Sequence, residues 1–335
     1  MKVGIVGLPN VGKSSLFNLL TNAGAQVAKF PFTTIDRNIG IVTIPDKRIE
    51  KIVELTRSPK MKYASLEFID IAGLIKDAHK GEGLGNKFLA HIRDVDIIVH
   101  ILRCFVAPDV AHTSEQISPK DDYDIVRTEL LLSDMEIVER RIEKIKKVVE
   151  SREELQVLEK IREHLSHGEV PTEVPPKDLP LLSTKPEIIV LNLDDEGRFT
   201  EEQDGYRVSV GLEEEIAEFT EDEKRELRED VGVAPEGLDG LVRFCLDKLS
   251  VIIFYTIKGV EARAWSVTRG TRVIEAAGKI HTDMQRGFIK AEVLKYDDFL
   301  KSGGFAEAQT LGLTKIEGKE YTVEDGDIVL IKFRA

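Results

Sequence analysis

The sequence has little cysteine, a single tryptophan and no long apolar run. Its two cysteines, Cys104 and Cys245, belong to no Cys/His pattern with zinc-site spacing, so we expect neither a disulfide framework nor a zinc ion. No apolar stretch approaches the roughly 18 to 20 residues that a membrane span needs. The N-terminal run Met1-Lys2-Val3-Gly4-Ile5-Val6 lacks the features of a secretory signal. These absences predict a cytoplasmic protein without a membrane partner.

The chain also has no excess of positive charge. Its 47 Lys and Arg residues stand against 60 Asp and Glu, a net charge of −13, which argues against a basic surface that coats nucleic acid. We therefore expect no DNA partner, and any RNA contact must be local. Residues 258–295 are the exception, with eight basic and four acidic side chains. The candidates for an RNA contact in this stretch, where an ordinary solvated face is the alternative, are Arg263, Arg269, Arg272, Lys279, Arg286 and Lys290.

At 335 residues the chain exceeds a typical domain of about 100 to 200 residues, so we expect two or three compact units. The first two hundred residues alternate short Val/Ile-rich runs with helical stretches, which is typical of βαβ units. This alternation predicts an α/β fold with a doubly wound, mostly parallel sheet. The predicted strands are 2–6, 39–44, 65–70, 96–102, 187–193 and 206–210.

A charged helical stretch, residues 124–168, interrupts the alternation. Its apolar residues recur at steps of four and three, as in a coiled-coil seam, and a second apolar stripe follows a polar break near residue 151. We therefore expect an inserted antiparallel helical hairpin, with an ordinary helical layer as the alternative. The proline-rich connector 170–176 then returns the chain to the sheet.

The segment Gly7-Leu8-Pro9-Asn10-Val11-Gly12-Lys13-Ser14 matches the pattern GxxxxGK(S/T), directly after a predicted strand and before a helical run. Glycines at these positions let backbone N–H groups surround phosphate oxygens, and the following helix adds the positive end of its dipole. Lys13 is expected to reach the β- and γ-phosphates as a catalytic residue, and the Ser14 hydroxyl to ligate Mg²⁺. The predicted nucleotide contacts of this loop are Asn10, Val11, Gly12, Lys13, Ser14 and Ser15.

Two further motifs stand where a P-loop nucleotidase has its switches. In Phe30-Pro31-Phe32-Thr33-Thr34, the Thr34 hydroxyl is a second candidate ligand of Mg²⁺. In Asp70-Ile71-Ala72-Gly73, Asp70 is expected to hold the metal and the Gly73 N–H to sense the γ-phosphate, as part of the catalytic site. Leu74 follows where a regulatory GTPase carries its water-orienting glutamine, so hydrolysis must be organised otherwise.

The base-recognition tetrad reads Asn192-Leu193-Asp194-Asp195, with Leu193 in place of the lysine of Asn-Lys-x-Asp. This replacement weakens guanine discrimination, while Asp195 still offers a carboxylate, so the residues leave both ATP and GTP open. Asn192, Leu193 and Asp195 are predicted nucleotide contacts, and Ser209 is a weaker candidate. The predicted domains are a nucleotide-binding domain (1–123 and 169–249), the helical insertion (124–168) and a small α+β domain (250–335).

Several long motifs resemble the YchF/Obg-like ATPase family: GLPNVGKS, FPFTT, DIAGLIKDAHKGEGLGNKFLAHIRDVD and RAWSVTRGTRVIEAAGKIHTDMQRGFIKAEV. The resemblance covers nearly the whole chain and implies an ATP-preferring, Mg²⁺-dependent nucleotidase that binds ribosomes. It implies a C-terminal TGS domain, a β-grasp module associated with RNA or ribosome contact. It further implies a catalytic role for His112 in RCFVAPDVAH and a K⁺ ion at Asn10. The family's tetrad usually ends in Glu, whereas this one ends in Asp195.

The leading hypothesis is an ATPase switch that associates with the ribosome or structured RNA. A GTPase of the same fold is one alternative, because Asp195 retains the guanine-reading carboxylate. A nucleotide-binding ribosome adaptor with negligible turnover is the other, because Leu74 removes the usual water-positioning group.

Overall fold

The computed structural model describes residues 1–23, 38–71, 84–106, 117–146, 152–196 and 204–334. The chain divides into two compact units, here called the first unit (Met1–Val42 and Glu67–Leu241) and the second unit (Thr43–Leu66 and Val242–Ala335). The domains expected from the sequence differ from this division. The sequence places residues 43–66 in the nucleotide-binding domain, whereas the structure places them in the second unit, which resumes at Val242 rather than beginning at residue 250.

The helices and strands of the described residues are numbered in chain order. They are β1 (Lys2–Val6), α1 (Lys13–Ala23), β2 (Asn38–Thr43), α2 (Lys47–Thr56), β3 (Lys60–Lys62), β4 (Ser65–Asp70), α3 (Leu84–Arg93), β5 (Ile97–Cys104), α4 (Pro119–Ile145), α5 (Arg152–Ser166), β6 (Glu187–Leu193), β7 (Tyr206–Val208), α6 (Val210–Glu215), α7 (Glu221–Val231), α8 (Gly237–Lys248), β8 (Val251–Lys258), β9 (Glu261–Thr268), α9 (Val273–Ile280), α10 (Thr282–Arg286), β10 (Phe288–Lys295), α11 (Tyr296–Ser302), α12 (Phe305–Thr310), β11 (Lys315–Glu317) and β12 (Asp327–Phe333).

The first sheet has the strand order β2-β4-β1-β5-β6-β7. β1 pairs in parallel with β4 and β5, and β5, β6 and β7 continue the parallel series. All eight residues of β5 are buried, as expected for a strand that is covered on both faces. The mostly parallel α/β sheet predicted from the sequence is confirmed. Parallel strands end at a common edge, so the residues after β1, β4 and β6 are brought to one side of the sheet.

Helices α4 and α5 share a hydrophobic cluster. α4 begins earlier than the predicted insertion, because Ser118 caps its N-terminus by accepting from the Asp121 N–H and Pro119 occupies its first turn. Leu179 and Leu181, from the segment after the proline-rich connector, pack into the same cluster. An antiparallel coiled-coil geometry for the pair stays a prediction. The cluster contains members of both apolar stripes of residues 124–168, namely Leu131, Val138, Ile142, Ile145, Leu158, Ile161 and Leu165.

The second sheet has the order β11-β10-β12-β8-β9-β3. β8 pairs antiparallel with β9 and parallel with β12, and β12 pairs antiparallel with β10, so the sheet is mixed. A cluster that includes Phe254, Val267, Ala277 and Val329 joins one face of this sheet to α9, and Trp265 packs partly against it. The tryptophan therefore contributes to the core, as its position in a β-rich stretch favours.

None of the helices in the described part of the chain combines the length and the hydrophobicity that a membrane span requires.

Candidate nucleotide site

The loop between β1 and α1 adopts a backbone that only small residues allow at two positions. Gly7 and Gly12 have φ angles of 155° and 100°, and Asn10 has a φ of 62°. A Cβ atom on Gly7 would lie 2.5 Å from the Ile101 carbonyl oxygen, and one on Gly12 would lie 2.5 Å from Asn192 Nδ2. The glycines therefore permit both the backbone conformation and the close approach of β5 and β6 to the loop.

Lys13 is the first residue of α1, and its ammonium group remains within the loop. Its Nζ donates a hydrogen bond to the Leu8 carbonyl at 2.6 Å, and the residue is 8% exposed. Burial lowers the pKa of Lys13 to about 8, although the nearby Asp70 carboxylate acts in the opposite direction. A phosphate group would offer this buried cation a stronger acceptor than the carbonyl it now contacts.

Ser14 and Asp70 join the start of α1 to the end of β4. The Ser14 hydroxyl donates to Asp70 Oδ2 at 2.9 Å. The second carboxylate oxygen, Oδ1, is buried and has no hydrogen-bond partner among the described residues. A hydroxyl and a carboxylate with an unsatisfied buried oxygen form a hard oxygen donor set, which suits Mg²⁺. Thr34, Gly73 and His112, also predicted to act at this site, lie outside the described residues, as does Leu74.

Asn192 connects the loop after β1 to the start of α6. Its Nδ2 donates to the Val11 carbonyl at 3.0 Å, and its Oδ1 accepts from the Val210 N–H at 3.0 Å. The residue is only 4% exposed, so both bonds are shielded from water. The side chain of Val11 is fully buried, and what this residue contributes to the site is its main chain.

Asp195 and Ser209 meet beyond the end of β6. The Ser209 hydroxyl donates to Asp195 Oδ1 at 2.6 Å and accepts from the Leu212 N–H at 3.2 Å, which caps α6. Ser209 is fully buried, whereas Asp195 is exposed. The hydroxyl therefore holds one oxygen of an otherwise accessible carboxylate in a fixed position.

Gly211 is a contributor that sequence reasoning missed. A Cβ atom at this position would lie 2.7 Å from Asp195 Oδ1, so a larger residue would displace the carboxylate. The available signal was the glycine itself, two residues after Ser209, in a helix that would otherwise favour alanine.

Leu193, a predicted nucleotide contact, lies in the hydrophobic core instead. It is 4% exposed and packs in a hydrophobic cluster with Leu212 and Ile216. Side chains alternate along β6, so a strand that directs Asn192 to the phosphate loop directs its neighbour to the opposite face. Of the other predicted contacts, Asn10 is exposed and Ser15, in the first turn of α1, is half-buried.

The basic residues proposed for RNA contact do not share one face of the second sheet. The Arg263 guanidinium lies 3.9 Å from the centre of the Trp265 ring, on the face that packs against α9. Lys290 pairs with Lys332 on the opposite face, because the next pair, Ala291 and Ile331, belongs to the cluster with α9.

The remaining four basic residues lie at the ends of elements. Arg272 forms ion pairs with Glu275 at 2.9 Å and with Glu320 at 3.1 Å. Exposed positions are occupied by Arg269 after β9, Lys279 on α9 and Arg286 on α10.

A phosphate loop, a buried lysine and a serine–aspartate pair at the carboxyl edge of a parallel sheet define a P-loop nucleotide-binding protein. Family models agree with this class. The model described as "50S ribosome-binding GTPase" matches residues 2–161, and YchF-GTPase_C, described as "Protein of unknown function (DUF933)", matches residues 251–334.

Relatives match along nearly the whole chain. The "Ribosome-binding ATPase YchF" of Bacillus subtilis (strain 168) is 40% identical, and that of Pasteurella multocida (strain Pm70) is 39% identical, each with 99% of both chains covered. The solved structure of the Schizosaccharomyces pombe YchF GTPase is 31% identical, with a TM-score of 0.84 over 99% of this chain and 97% of that one. The chain belongs to the YchF family, which confirms the resemblance read from its motifs.

Proposed function

We propose that the chain is a Mg²⁺-dependent P-loop nucleoside triphosphatase that hydrolyses ATP in preference to GTP and acts as a ribosome- or RNA-associated switch. The observation that carries the proposal is the buried, unpartnered Asp70 Oδ1 beside the Ser14 hydroxyl, one residue from the buried Lys13. An anionic carboxylate and a cationic ammonium group that influence each other's charge, at the edge of a parallel sheet, suit a phosphate chain and its counter-ion.

Each residue of the site has a distinct task in this proposal. The N–H groups of residues 10–15 bind the phosphates, and Lys13 moves its ammonium group from the Leu8 carbonyl to the β- and γ-phosphate oxygens. Ser14, Thr34 and Asp70 would hold Mg²⁺, which when bound neutralises charge on the phosphate oxygens. The Gly73 N–H contacts the γ-phosphate, and His112 orients the attacking water in place of the glutamine that Leu74 replaces. Asn10 is the proposed K⁺ ligand.

The preference for ATP is supported by relatives named ribosome-binding ATPase and by the loss of the tetrad lysine at Leu193. A GTPase remains the second candidate, on one specific observation. Ser209 holds Asp195 in a fixed position with its carboxylate exposed, as recognition of the ring N–H and the exocyclic amine of guanine requires. The Schizosaccharomyces pombe relative is described as a GTPase.

Ribosome or RNA contact is proposed from the names of the relatives and from the basic residues of the second unit. We assign residues 250–335 to a TGS-like β-grasp domain and 124–168 to a coiled-coil insertion that presents a partner surface. A cytoplasmic location stays a prediction of the sequence. The adaptor alternative predicts the same contacts without turnover.

Phosphate release tests the proposal. The wild type, Lys13→Ala and the matched control Lys51→Ala, which changes an exposed lysine of α2, are compared in Mg²⁺ buffer with ATP or GTP. We expect slow turnover in the wild type and the control, and none in Lys13→Ala. Equal activity in all three proteins would remove the phosphate loop from the mechanism. Nucleotide binding without turnover would favour the adaptor, and a clear excess of GTP over ATP hydrolysis would favour the GTPase.

A further inference from the structure

Residues 43–66 lie in sequence between the two predicted switches, yet they belong to the second unit. The segment is entered from β2, where Gly40 lies against Thr21 of α1, the helix that begins at Lys13. It leaves through β4, which ends at Asp70, the acceptor of the Ser14 hydroxyl. Both ends of the segment are thus continuous with elements that build the candidate nucleotide site.

Within the segment, β3 is a strand of the second sheet. Lys60, Met61 and Lys62 pair in parallel with residues 261–263 of β9. The Lys60 N–H donates to the Val260 carbonyl at 3.1 Å, and the Lys62 ammonium lies 3.2 Å from Glu261. Backbone pairing of this kind transmits displacement along and across the strands, because each residue is held by its partner.

The first turn of α2 provides a second attachment. Asp46 caps the helix by accepting from the Arg48 N–H at 2.9 Å, and it also accepts from the fully buried Tyr255 hydroxyl on β8. The Arg48 guanidinium donates to Asp325 at 2.7 Å, and Asp325 in turn accepts from the Ile253 N–H at 2.9 Å. This set of contacts joins α2 to β8 and to the turn before β12.

We propose that nucleotide occupancy is transmitted to the second sheet through residues 43–66, with Arg48 and Asp325 as the coupling pair. The inference rests on the proposed nucleotide site. A ligand bound at Ser14 and Asp70 changes the preferred position of β4. The segment passes this change to β9, because β3 and α2 bond the segment to the second sheet. The two functions that the name of the bacterial relatives combines, ATP hydrolysis and ribosome binding, would then be coupled by a segment of about 24 residues.

Trp265 is a reporter that the chain already carries. It is the single tryptophan of the sequence, and it lies two residues from Arg263, the β9 residue that pairs with Lys62. The Arg263 guanidinium stands over the indole ring, and indole emission is sensitive to a cation at this distance. A shift of β3 relative to β9 should therefore change the emission of Trp265.

The experiment measures ATP binding by calorimetry and Trp265 emission on the same full-length sample in Mg²⁺ buffer. The wild type should show a saturable emission change that follows the calorimetric isotherm. Arg48→Met and Asp325→Asn should bind ATP with wild-type affinity but show an emission change at least about threefold smaller. Asparagine at 325 keeps an acceptor for the Ile253 N–H, so this variant preserves the local fold. Lys51→Met, which removes an exposed charge from the same helix, should behave as the wild type.

Two results would overturn the inference: calorimetric saturation of the wild type without an emission change, or a wild-type emission change in both coupling variants. The absence of both heat and emission change would instead refute the proposed nucleotide site, and the inference with it. If Arg48→Met unfolds at lower urea concentration, Asp325→Asn and amide hydrogen exchange at Lys60 decide. Faster exchange of the Lys60 amide in the absence of ATP than in its presence supports the coupling, and identical exchange contradicts it.

Discussion

Asn192 on β6 donates to the carbonyl of Val11 across 181 positions of sequence, at 3.0 Å, and its other amide atom accepts from the N–H of Val210. One buried side chain thereby fixes the distance between the loop that we propose to bind phosphate and the start of α6, on the side proposed for the base. In the proposed function a nucleotide spans that distance, so the side chain would order the site before the ligand arrives.

Asn192→Ala should therefore weaken binding of either purine triphosphate by about 10- to 30-fold, since it leaves a buried carbonyl and a buried N–H without partners. Asn18→Ala, on the exposed side of α1, is the matched control and should bind as the wild type. Calorimetric titration measures both. Wild-type affinity in Asn192→Ala would show that the loop keeps its conformation without this contact.

The lowered pKa of Lys13 predicts that nucleotide affinity falls as the pH rises above about 8. The free protein loses the ammonium charge in this range, while the phosphate-bound state retains it, so the dissociation constant should rise by as much as about tenfold per pH unit. Calorimetry between pH 7 and pH 10 measures this trend. Lys13→Met should bind weakly with little pH dependence, and a wild-type affinity that is flat across the range would contradict the assignment.

The same lowered pKa predicts that the stability of the free protein, unlike its affinity for nucleotide, rises with pH. The folded pKa of about 8 lies below the ordinary lysine pKa of 10.5, so between these limits the unfolded chain binds more protons than the folded one. The contribution of Lys13 to the free energy of unfolding should consequently increase with pH over this window. Urea unfolding of the wild type and of Lys13→Met isolates this contribution. The free energy of unfolding of the wild type should increase relative to that of the variant from pH 8 to pH 10.

Asp195→Asn should weaken the binding of GTP more than the binding of ATP. Guanine places two N–H groups against a carboxylate, so we expect GTP to bind about tenfold more weakly in the variant, while ATP affinity changes by less than about threefold. Glu196→Gln, one position further along and also exposed, is the control. Competition between ATP and GTP for the same protein checks the prediction, and an equal loss of affinity for both nucleotides would place Asp195 outside base recognition.

Arg228 and Glu213 form a buried bidentate ion pair, with bonds of 2.7 and 2.8 Å, that attaches α7 to α6. Arg228→Met should lower the free energy of unfolding by about 3 to 5 kcal/mol, because it leaves a buried carboxylate unpaired. Arg225→Met removes an exposed pair from the same helix and should cost no more than about 0.5 kcal/mol. Urea denaturation compares the two, and similar midpoints would mean that water reaches Glu213.

The sheet of the first unit was predictable because its strands are short apolar runs separated by helices and turns. Every predicted strand is found within two residues of its expected start, including the wholly buried β5. The phosphate loop was equally accessible, since its chemistry depends on consecutive residues. Asn192 and Leu193 cannot both face the site, because successive side chains of a strand point to opposite faces and Leu193 packs in the core.

The basic stretch shows where composition is insufficient. The sequence offers six basic residues as candidates for one RNA contact, but sheet register places Arg263 and Lys290 on opposite faces. The charge count could not reveal this separation, because it depends on which strands pair and on a register shift between Phe288 and Lys290.

What the sequence determined by itself is local: the conformation of the loop from Gly7 to Ser14 and the apolar runs that become strands, because backbone freedom and hydrophobic periodicity act over a few residues. Only the tertiary structure decided that Asn192 closes on Val11, that Ser209 holds Asp195, and that residues 43–66 join the second sheet. These contacts join residues far apart in sequence, so they depend on how all the elements pack together.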